Sequence, residues 1–389
     1  TIDFSNITQE FRLTTSDDKK FDWTLGVFGY RNNNLVNSLN RFGPDLAAFG
    51  APFDLLPLPI ERPENSEIVQ KGVAFYGQGD YELTDKLSLT LGLRYDLEES
   101  TADLFRAVSA FNPEPFELSV KADFNALSPK AALSYKANDD IFVYGSYARG
   151  FRPGGINSFV SEQAEAVFDP ETTDNFELGI KTNWLDNKVK VNLTGFFINY
   201  KDQQLFTIVD FQQLLLGTDN IGKSRSYGIE LESEFAVAKG LTLGVNAGYL
   251  NTEVLEYIAV FPGATPGAQT QEDFAGSELP LSPEFNFSSN ATFIQPINPK
   301  INFEANFDYS YQTEVAFNIA RTEENRQIQE SYGILNGRIG LTSKSLDFFV
   351  WGKNITDVTY LSYGYGVSSF NAAAFGLPQT YGASVKVKF

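Results

Sequence analysis

The sequence predicts an all-β fold, a transmembrane antiparallel β-barrel, from three observations. Apolar and polar residues alternate along many long segments, the connections between segments are alternately short and long, and aromatic residues recur near segment ends. Because successive side chains of a strand point to opposite faces, each segment has one apolar and one polar face. Outer-membrane barrels show this alternation, with the apolar face toward lipid and the polar face toward the interior.

The alternation is clearest in residues 87–95, where every odd position is apolar or aromatic and every even position is small or polar. The same parity recurs in residues 227–235, 241–249, 301–309 and 381–389. A soluble β-sandwich also alternates, but its strands usually have about five or six residues. Segments of about ten residues, with charges such as Glu304 and Asp308 on the polar face, favour a membrane barrel with a wet interior.

Aromatic residues near the segment ends lie on the apolar parity. They are Phe21, Trp23, Tyr95, Trp184, Tyr249, Tyr309 and Tyr311. Membrane barrels carry aromatic girdles at both interfaces with water. Aromatic packing in a soluble core is the alternative, and the shared parity favours the girdle.

The composition excludes several classes of function. The 389 residues have a formal net charge of −19 and contain no His and no Cys. Ser–His–Asp and Cys–His catalysis, and imidazole or thiolate metal sites, therefore cannot be built from this chain. An acidic chain without a basic cluster does not suit nucleic acid. We expect no catalytic site, no metal site, no cofactor and no nucleic-acid partner.

The beginning of the sequence does not look like that of a whole precursor. There is no initiator Met and no signal peptide, and Thr1 already begins a strand pattern. No run of about 18 apolar residues is present, so no transmembrane helix is predicted. We therefore expect a fragment or a processed chain.

The connections indicate how roughly fifteen predicted strands are oriented. Short turns are predicted at residues 16–20, 84–86, 137–140, 185–187, 238–240, 296–299 and 343–345, and long connections at residues 33–67, 99–120, 153–171, 255–282, 313–330 and 357–377. Only residues 208–212 depart from this rhythm, where two strands could extend beyond the membrane. Because outer-membrane barrels have short periplasmic turns and long extracellular loops, the long connections are expected to face outside.

Several motifs resemble the C-terminal part of TonB-dependent outer-membrane receptors. The matching stretches are Tyr144–Gly155, Pro170–Lys181, Asn220–Glu230, Lys353–Asp357 and Pro378–Gly382, followed by the terminal Phe389. Each motif is modest alone, but their order and spacing span essentially the whole chain. The resemblance implies a barrel of about 22 strands around an N-terminal plug domain. Residues 1–389 would then be the C-terminal part of that barrel, without the plug domain, the TonB box and the first strands.

The resemblance implies a receptor in the bacterial outer membrane for TonB-dependent active uptake of a scarce nutrient, with a ferric siderophore expected first. Uptake of cobalamin, haem or carbohydrate, and a passive porin-like channel, remain alternatives. A barrel enzyme is disfavoured because lipase-type barrels use a Ser–His pair and the chain has no His. The partners implied are outer-membrane lipid, the TonB complex through the missing N-terminal part, the barrel-assembly machinery and the small-molecule ligand.

Candidate ligand-binding residues lie at the exit of one strand and within the long connections 255–282 and 313–330. They are Arg149, Arg152, Tyr257, Phe261, Phe317, Arg321 and Arg326. A guanidinium group is planar and always charged, which suits an anionic ligand, and aromatic rings suit a large flat one. For Arg149 and Arg152 we prefer the alternative, an arginine that fixes the loop base by pairing with a neighbouring carboxylate. For the loop residues, the alternative is a variable surface without a ligand.

A second set of charged residues is expected to face the barrel interior or the plug. They are Arg12, Arg94, Glu230, Glu232, Glu234, Glu304, Asp308 and Arg338. In a complete barrel they could pair with plug residues of opposite charge, and a solvated lumen wall is the alternative. Phe389 shares the outward parity of Val385 and Val387. The resemblance implies that this terminal aromatic is an assembly signal, and a lipid-facing girdle residue is the alternative.

Overall fold

The computed structural model describes residues 1–15, 20–49, 59–107, 114–158, 166–210, 215–262, 269–320, 326–367 and 370–389. Among these residues, fifteen strands form one antiparallel sheet in which each strand pairs with its neighbours in chain order. They are β1 (Ile2–Thr14), β2 (Phe21–Phe42), β3 (Ile60–Thr84), β4 (Leu87–Arg106), β5 (Phe116–Lys136), β6 (Ile141–Arg152), β9 (Glu171–Trp184), β10 (Val189–Asp210), β11 (Leu215–Ala238), β12 (Leu241–Glu256), β15 (Phe285–Asn298), β16 (Ile301–Gln312), β19 (Tyr332–Ser343), β20 (Leu346–Lys353) and β23 (Thr380–Val387). The predicted all-β barrel fold is confirmed.

Short hairpins occupy four of the long connections. They are β7 (Gly155–Ile156) with β8 (Val167–Phe168), β13 (Ile258–Pro262) with β14 (Gln269–Asp273), β17 (Val315–Ala316) with β18 (Ile328–Gln329), and β21 (Leu361–Val367) with β22 (Phe370–Phe375). One 3₁₀ helix, Pro44–Phe49, follows β2. No helix in the described ranges is long and apolar enough to cross a membrane.

The register places apolar residues of neighbouring strands side by side on one face of the sheet. One such row runs through Phe11, Val27, Phe75, Tyr95 and Leu127 of β1 to β5. These side chains are 39% to 71% exposed, although they are among the most apolar in the chain. The next row lies on the opposite face and runs through Arg12, Gly26, Tyr76, Arg94 and Ser128. One face is thus suited to lipid and the other to water.

Two predicted long connections are largely strand. β2 continues to Phe42 and β3 begins at Ile60, and β4 and β5 likewise extend to Arg106 and from Phe116. The loops predicted at residues 33–67 and 99–120 are therefore wrong in extent. Beyond the apolar belt polar residues fall on both faces, which hides the alternation, but the backbone groups still pair across the strands. The expected extension near residues 208–212 is confirmed, because β10 reaches Asp210 and β11 starts at Leu215.

Tight turns join the strands at the opposite end of the sheet. Gly240 has a φ of +79° between β11 and β12, and a Cβ there would lie 2.1 Å from the carbonyl oxygen of Ile294. Leu185, Asp186 and Asn187 all have positive φ in the turn between β9 and β10. These turns need the left-handed conformation that Gly, Asn and Asp adopt most readily. Residues 16–19 of the first predicted turn lie outside the described residues.

Loops pack onto the long-loop end of the sheet through two apolar clusters. The first joins β3 and β4 to the connection between β6 and β9 and consists of Ile68, Ala102, Leu104, Ile156 and Ala166. The second consists of Ile221, Val254 and Leu279, with Leu205, Tyr257 and Ile319 packed against it. Asn157 also joins its loop to β11 by two hydrogen bonds. Its side-chain nitrogen donates to the carbonyl of Thr218, and its side-chain oxygen accepts from the Thr218 amide.

Candidate functional site

A concavity of about 400 Å³ lies on the polar face of β6, β9, β10 and β11. We call it the inner-wall pocket; its lining residues are Tyr144, Asn175, Glu177, Lys181, Asn192, Thr194, Phe196, Ile198, Glu230 and Glu232. Two of the predicted interior residues, Glu230 and Glu232, are therefore brought together here. The other lining residues were not predicted. The alternation along β9 and β10, which places every second residue on the polar face, could have identified those that lie on these two strands.

The sequence shapes this pocket by placing a glycine beneath an aromatic ring. Tyr144 is paired in register with Gly179, and a Cβ at Gly179 would lie 2.3 Å from the Tyr144 ring. The ring therefore lies flat across the strand. Its hydroxyl is 3.4 Å from Oγ1 of Thr194, and the Lys181 ammonium lies 5.6 Å from the ring centroid. The cation thus rests on the negative face of the ring.

The pocket is acidic. Glu177, Glu230 and Glu232 line it together with a single cation, Lys181. Asn175 donates its Nδ2–H to Oε1 of Glu177 over 2.9 Å, and its own buried Oδ1 has no hydrogen-bond partner among the described residues. Ionised carboxylates and an amide oxygen are all acceptors. The geometry therefore suits a cationic donor such as a lysine or arginine side chain.

Several predicted interior charges are matched by other residues of the wall. Arg94 donates to Asp96 from Nε over 3.0 Å and from Nη2 over 2.7 Å, and its guanidinium lies 5.9 Å from the ring centroids of Phe28 and Tyr76. Arg12 lies in the same row as Arg94 on the polar face. The contacts with Asp96 and the two rings orient the Arg94 side chain.

The pairing continues on later strands. Arg338 donates to Glu304 over 2.8 Å and to Asn306 over 2.9 Å. Asp308 accepts from Nδ2 of Asn336 over 2.6 Å. In β11, Glu234 contacts Lys190 at 3.1 Å. Glu230 and Glu232, by contrast, face the inner-wall pocket.

Arg149 does not face the interior. It is paired in register with Asp174 on the face that carries Tyr147 and Phe176. Its Nε is 2.9 Å from Oδ1 of Asp174 and its Nη2 is 3.1 Å from Oδ2. The geometry therefore supports the alternative of a loop-base ion pair over a ligand contact. Arg152 lies on the opposite parity, exposed and in register with Glu171.

The predicted loop residues are mostly engaged in packing. Burial raises the pKa of Tyr257 to about 12, and its ring packs on Phe274 with 5.6 Å between centroids. Phe317 packs on Tyr363 at 6.3 Å. Arg326 contacts Glu278 at 3.2 Å and Glu314 at 3.4 Å. The side chain of Phe261 and the whole of Arg321 lie outside the described residues.

A buried ion cluster at the long-loop end was not predicted from the sequence. Oε1 of Glu64 lies 2.9 Å from Nε of Arg62 and 3.1 Å from Nε of Arg106, and all three side chains are at most 5% exposed. Arg62 and Glu64 share one parity of β3, as alternation would have shown. Their position inside the predicted loop 33–67 concealed them.

The C-terminal residues are fixed to a neighbouring turn. Lys388 contacts Oδ1 of Asp347 at 2.7 Å and donates to the carbonyl of Ser343 over 3.0 Å. Val385 and Val387 lie on the apolar face, and Phe389 is highly exposed. Within the ranges that the structure describes, no group of three or more Asp, Glu, His or Cys is placed to hold a metal ion.

The chain is similar to a known family and to known proteins. The model of the family described as TonB dependent receptor-like, beta-barrel matches residues 1–355. The chain belongs to this family. It is a family of receptors and transporters, and the chain is accordingly an outer-membrane barrel.

Individual relatives are distant. The pesticin receptor of Yersinia pestis is 22% identical over 391 residues, covering 98% of this chain and 51% of the relative. A probable TonB-dependent siderophore receptor, PiuA of Acinetobacter baumannii, is 26% identical over 199 residues, covering 50% of this chain and 25% of the relative. The chain spans about half the length of the pesticin receptor that it matches.

Solved structures share the fold. The ferric yersiniabactin uptake receptor FyuA of Yersinia pestis superposes with a TM-score of 0.81 at 20% identity, covering 100% of this chain and 54% of the other. The siderophore receptor PiuA of Acinetobacter baumannii superposes with a TM-score of 0.73 at 18% identity, covering 99% and 55%.

Proposed function

We propose that the chain forms the C-terminal barrel wall of an outer-membrane receptor that takes up a ferric siderophore by TonB-dependent active transport. The observation that carries this proposal is the family match over residues 1–355. The names of similar proteins support the cargo, since they include a ferric yersiniabactin uptake receptor and a ferric-pyoverdine receptor. In this proposal the plug domain and the TonB-contacting segment belong to the rest of the receptor.

The size of the sheet supports a wide, plugged barrel. Fifteen strands lie in one sheet within the described part of the chain. Barrels of about eight strands are filled by their own side chains, whereas those of about 22 strands enclose a plug. Glu230 and Glu232 of the inner-wall pocket then serve as acceptors for a basic group of the plug. A passive channel would need no such acceptor.

The cargo requires no metal site of the chain itself. A siderophore holds its iron with its own donor atoms, so the wall needs only to contact the outside of the chelate. Arg152 is the contact that we retain from the predicted set, because it is exposed on the inner parity where β6 ends. Arg321 and Phe261 remain part of the proposal. The role is binding and passage, and no catalytic step is assigned to it.

Uptake measurements test the function. The full-length receptor would be expressed in cells lacking their own siderophore receptors, and uptake of radioactive iron as ferric yersiniabactin, pyoverdine or catecholate would be followed with and without TonB. We expect uptake of at least one chelate, abolished when TonB is deleted. Uptake that continues without TonB would establish the porin-like alternative instead.

The role of the inner-wall pocket has its own test. The double variant Glu230→Gln/Glu232→Gln is expected to hold the plug less firmly and to increase cell entry of large antibiotics normally excluded by the outer membrane. Glu234→Gln is the matched control, because Glu234 already contacts Lys190 in the wall. Equal antibiotic sensitivity of both variants would reject the plug-contact role.

A further inference from the structure

Two pairs of cationic side chains lie directly opposite each other across neighbouring strands. Arg31 of β2 is paired in register with Lys71 of β3, and Lys201 of β10 with Lys223 of β11. Directly opposed Cβ atoms are about 4.5–5.5 Å apart, and like charges there destabilise a sheet. The chain has 30 Lys and Arg against 49 Asp and Glu, so a surplus of cations does not force these pairings.

The first pair lies on the outer face, just beyond the apolar belt. Arg31 and Lys71 have the parity of Val27 and Phe75, which form the registered pair four residues away. Four residues of strand cover about 13 Å, or about 10 Å along the barrel axis after tilting. The cation pair lies on the side of the Val27–Phe75 pair that is nearer the long-loop end of the sheet. Lys71 contacts Glu99 at 2.6 Å, so one charge of the pair is matched.

The second pair repeats this geometry on other strands. Lys201 and Lys223 have the parity of Phe197 and Tyr227, whose rings pack with 6.3 Å between centroids four residues away. The displacement is again toward the long-loop end. Lys223 contacts Glu256 at 2.7 Å. The same motif of an aromatic or apolar pair followed by a cation pair therefore occurs twice on the outer wall.

In each pair one cation remains weakly matched. Lys201 has a 69% exposed side chain, and its carboxylate contact is Asp202 at 3.6 Å. Arg31 is exposed and has no carboxylate contact within the part of the chain that the structure describes. Their long alkyl stems can lie along the apolar belt while the charged ends reach the headgroup level. An anion between the two cations would remove the repulsion.

We propose that the two cation pairs are seats for phosphate groups of an anionic glycolipid in the outer leaflet, one phosphate for each pair. Phosphate oxygens accept strong charge-assisted hydrogen bonds from guanidinium and ammonium groups. The position at headgroup level on the lipid-facing wall selects a lipid phosphate over a free anion. This site is separate from the interior, and it depends on the outer-membrane location rather than on the transported chelate.

Lipid binding by the full-length receptor tests the proposal. The receptor would be purified in neutral detergent, and binding of lipid A bearing two phosphates would be measured by native mass spectrometry. Because the two seats are separate, binding of the first and of the second lipid A molecule is measured separately. At the altered seat we expect about a fivefold loss of affinity for each cation removed, hence on the order of 25-fold for Lys201→Gln/Lys223→Gln or for Arg31→Gln/Lys71→Gln, while the other seat keeps its affinity. Lys201→Arg/Lys223→Arg should retain binding, because it keeps both charges.

The matched control is Lys181→Gln/Lys190→Gln, which removes two lysines from the inner face. It should leave lipid A affinity within about twofold of the unaltered receptor, well inside the effect of one cation. Heat-modifiable migration in gels would establish that every variant is folded. Equal affinity of all folded variants would overturn the proposal.

Two further probes separate the sources of binding. Dephosphorylated lipid A should bind as weakly at both seats as phosphorylated lipid A binds at the altered seat of a Gln variant. If it binds the unaltered receptor as well as phosphorylated lipid A does, acyl contacts alone hold the lipid and the proposal fails. Displacement of lipid A by millimolar inorganic phosphate would also overturn it, because the site would then be one for a free anion.

Discussion

Arg106 of β4 and Glu64 of β3 form a buried ion pair across the two strands, with 3.1 Å between Nε of the arginine and Oε1 of the glutamate. Arg62 contacts the same oxygen atom at 2.9 Å. Removing one partner of a buried pair is strongly destabilising, because the remaining charge stays out of water. Glu64 is therefore expected to be highly sensitive to substitution.

We expect Glu64→Gln to lower the free energy of unfolding by about 3–5 kcal/mol, measured by urea denaturation of the receptor in detergent. Glu61→Gln is the control three residues away. Glu61 contacts Arg41 at 2.9 Å, but both side chains are more than half exposed. Removing the Glu61 carboxylate should lower the free energy of unfolding by less than about 1 kcal/mol. Equal costs for the two variants would contradict the buried-pair account.

Tyr257 predicts a loss of stability at high pH. Burial raises its pKa from 10.0 to about 12. Because the folded state holds the proton more tightly, the stabilisation is complete below pH 10 and is lost as the pH rises through 12. Tyr257→Phe should keep the contact with Phe274 and abolish this loss, as seen by hydrogen exchange of residues 253–258 between pH 9 and pH 12.

The control for this experiment is Tyr81→Phe, since Tyr81 is exposed and lies near the other end of the sheet. The tyrosine absorbance at 295 nm should lose a component that titrates near pH 12 in the Tyr257 variant and not in the Tyr81 variant. Ionisation of Tyr257 together with the exposed tyrosines would show that its ring is not buried.

The lipid-facing side of β4 should reject charge. Leu91 is 54% exposed and pairs with Gly79. Leu91→Arg should cost about 2–4 kcal/mol of folding free energy in lipid vesicles, as expected for a charge near the bilayer midplane. Gln78→Arg is the control on the polar face, where Asp80 lies 3.1 Å from the amide and can accept from an arginine. A tolerated Leu91→Arg would contradict the assigned face.

Asn354 should hold the last long loop. It is 3% exposed, with its amide group bonded to the backbone of Val358 and to the carbonyl of Leu377. Its φ is +47°, a conformation that Gly adopts freely. Asn354→Ala should speed hydrogen exchange of residues 355–364, by a change of about 1–3 kcal/mol in local stability.

Asn354→Gly distinguishes the two contributions at this position, because it relieves the backbone strain but still removes the side-chain bonds. We expect it to exchange more slowly than Asn354→Ala and faster than the unaltered chain. Variants that exchange like the unaltered chain would show that Asn354 does not fix the loop.

The sequence predicted those parts of the fold in which apolar and polar residues alternate clearly. Leu87 to Tyr95 revealed both faces of β4, and the turn residues around Gly240 located the tight end of the sheet. The extensions of β2 to Phe42 and of β3 from Ile60 were missed, because strands outside the membrane no longer need one apolar face. Long-range backbone pairing, which the local sequence does not encode, keeps them extended.

The candidate site was less predictable than the fold. Alternation along β11 put Glu230 and Glu232 on one face, and both line the inner-wall pocket, but the Tyr144–Gly179 contact depends on the register between strands. Arg149 was expected at a loop base without a defined face, and only its register with Asp174 places it outward. Side-chain parity is encoded locally, whereas partners across strands are set by the whole sheet.

Cysteine labelling at two adjacent positions tests most directly whether the apolar face meets lipid and the polar face meets water. The 389 residues contain no Cys, so Leu93→Cys and Arg94→Cys each introduce one thiol into this part of the receptor. A fluorophore at residue 93 of the receptor in vesicles should be quenched by brominated lipid, and the thiol at residue 94 should react with a water-soluble reagent. The reverse pattern, with residue 93 reached from water and residue 94 from lipid, would contradict the barrel assignment.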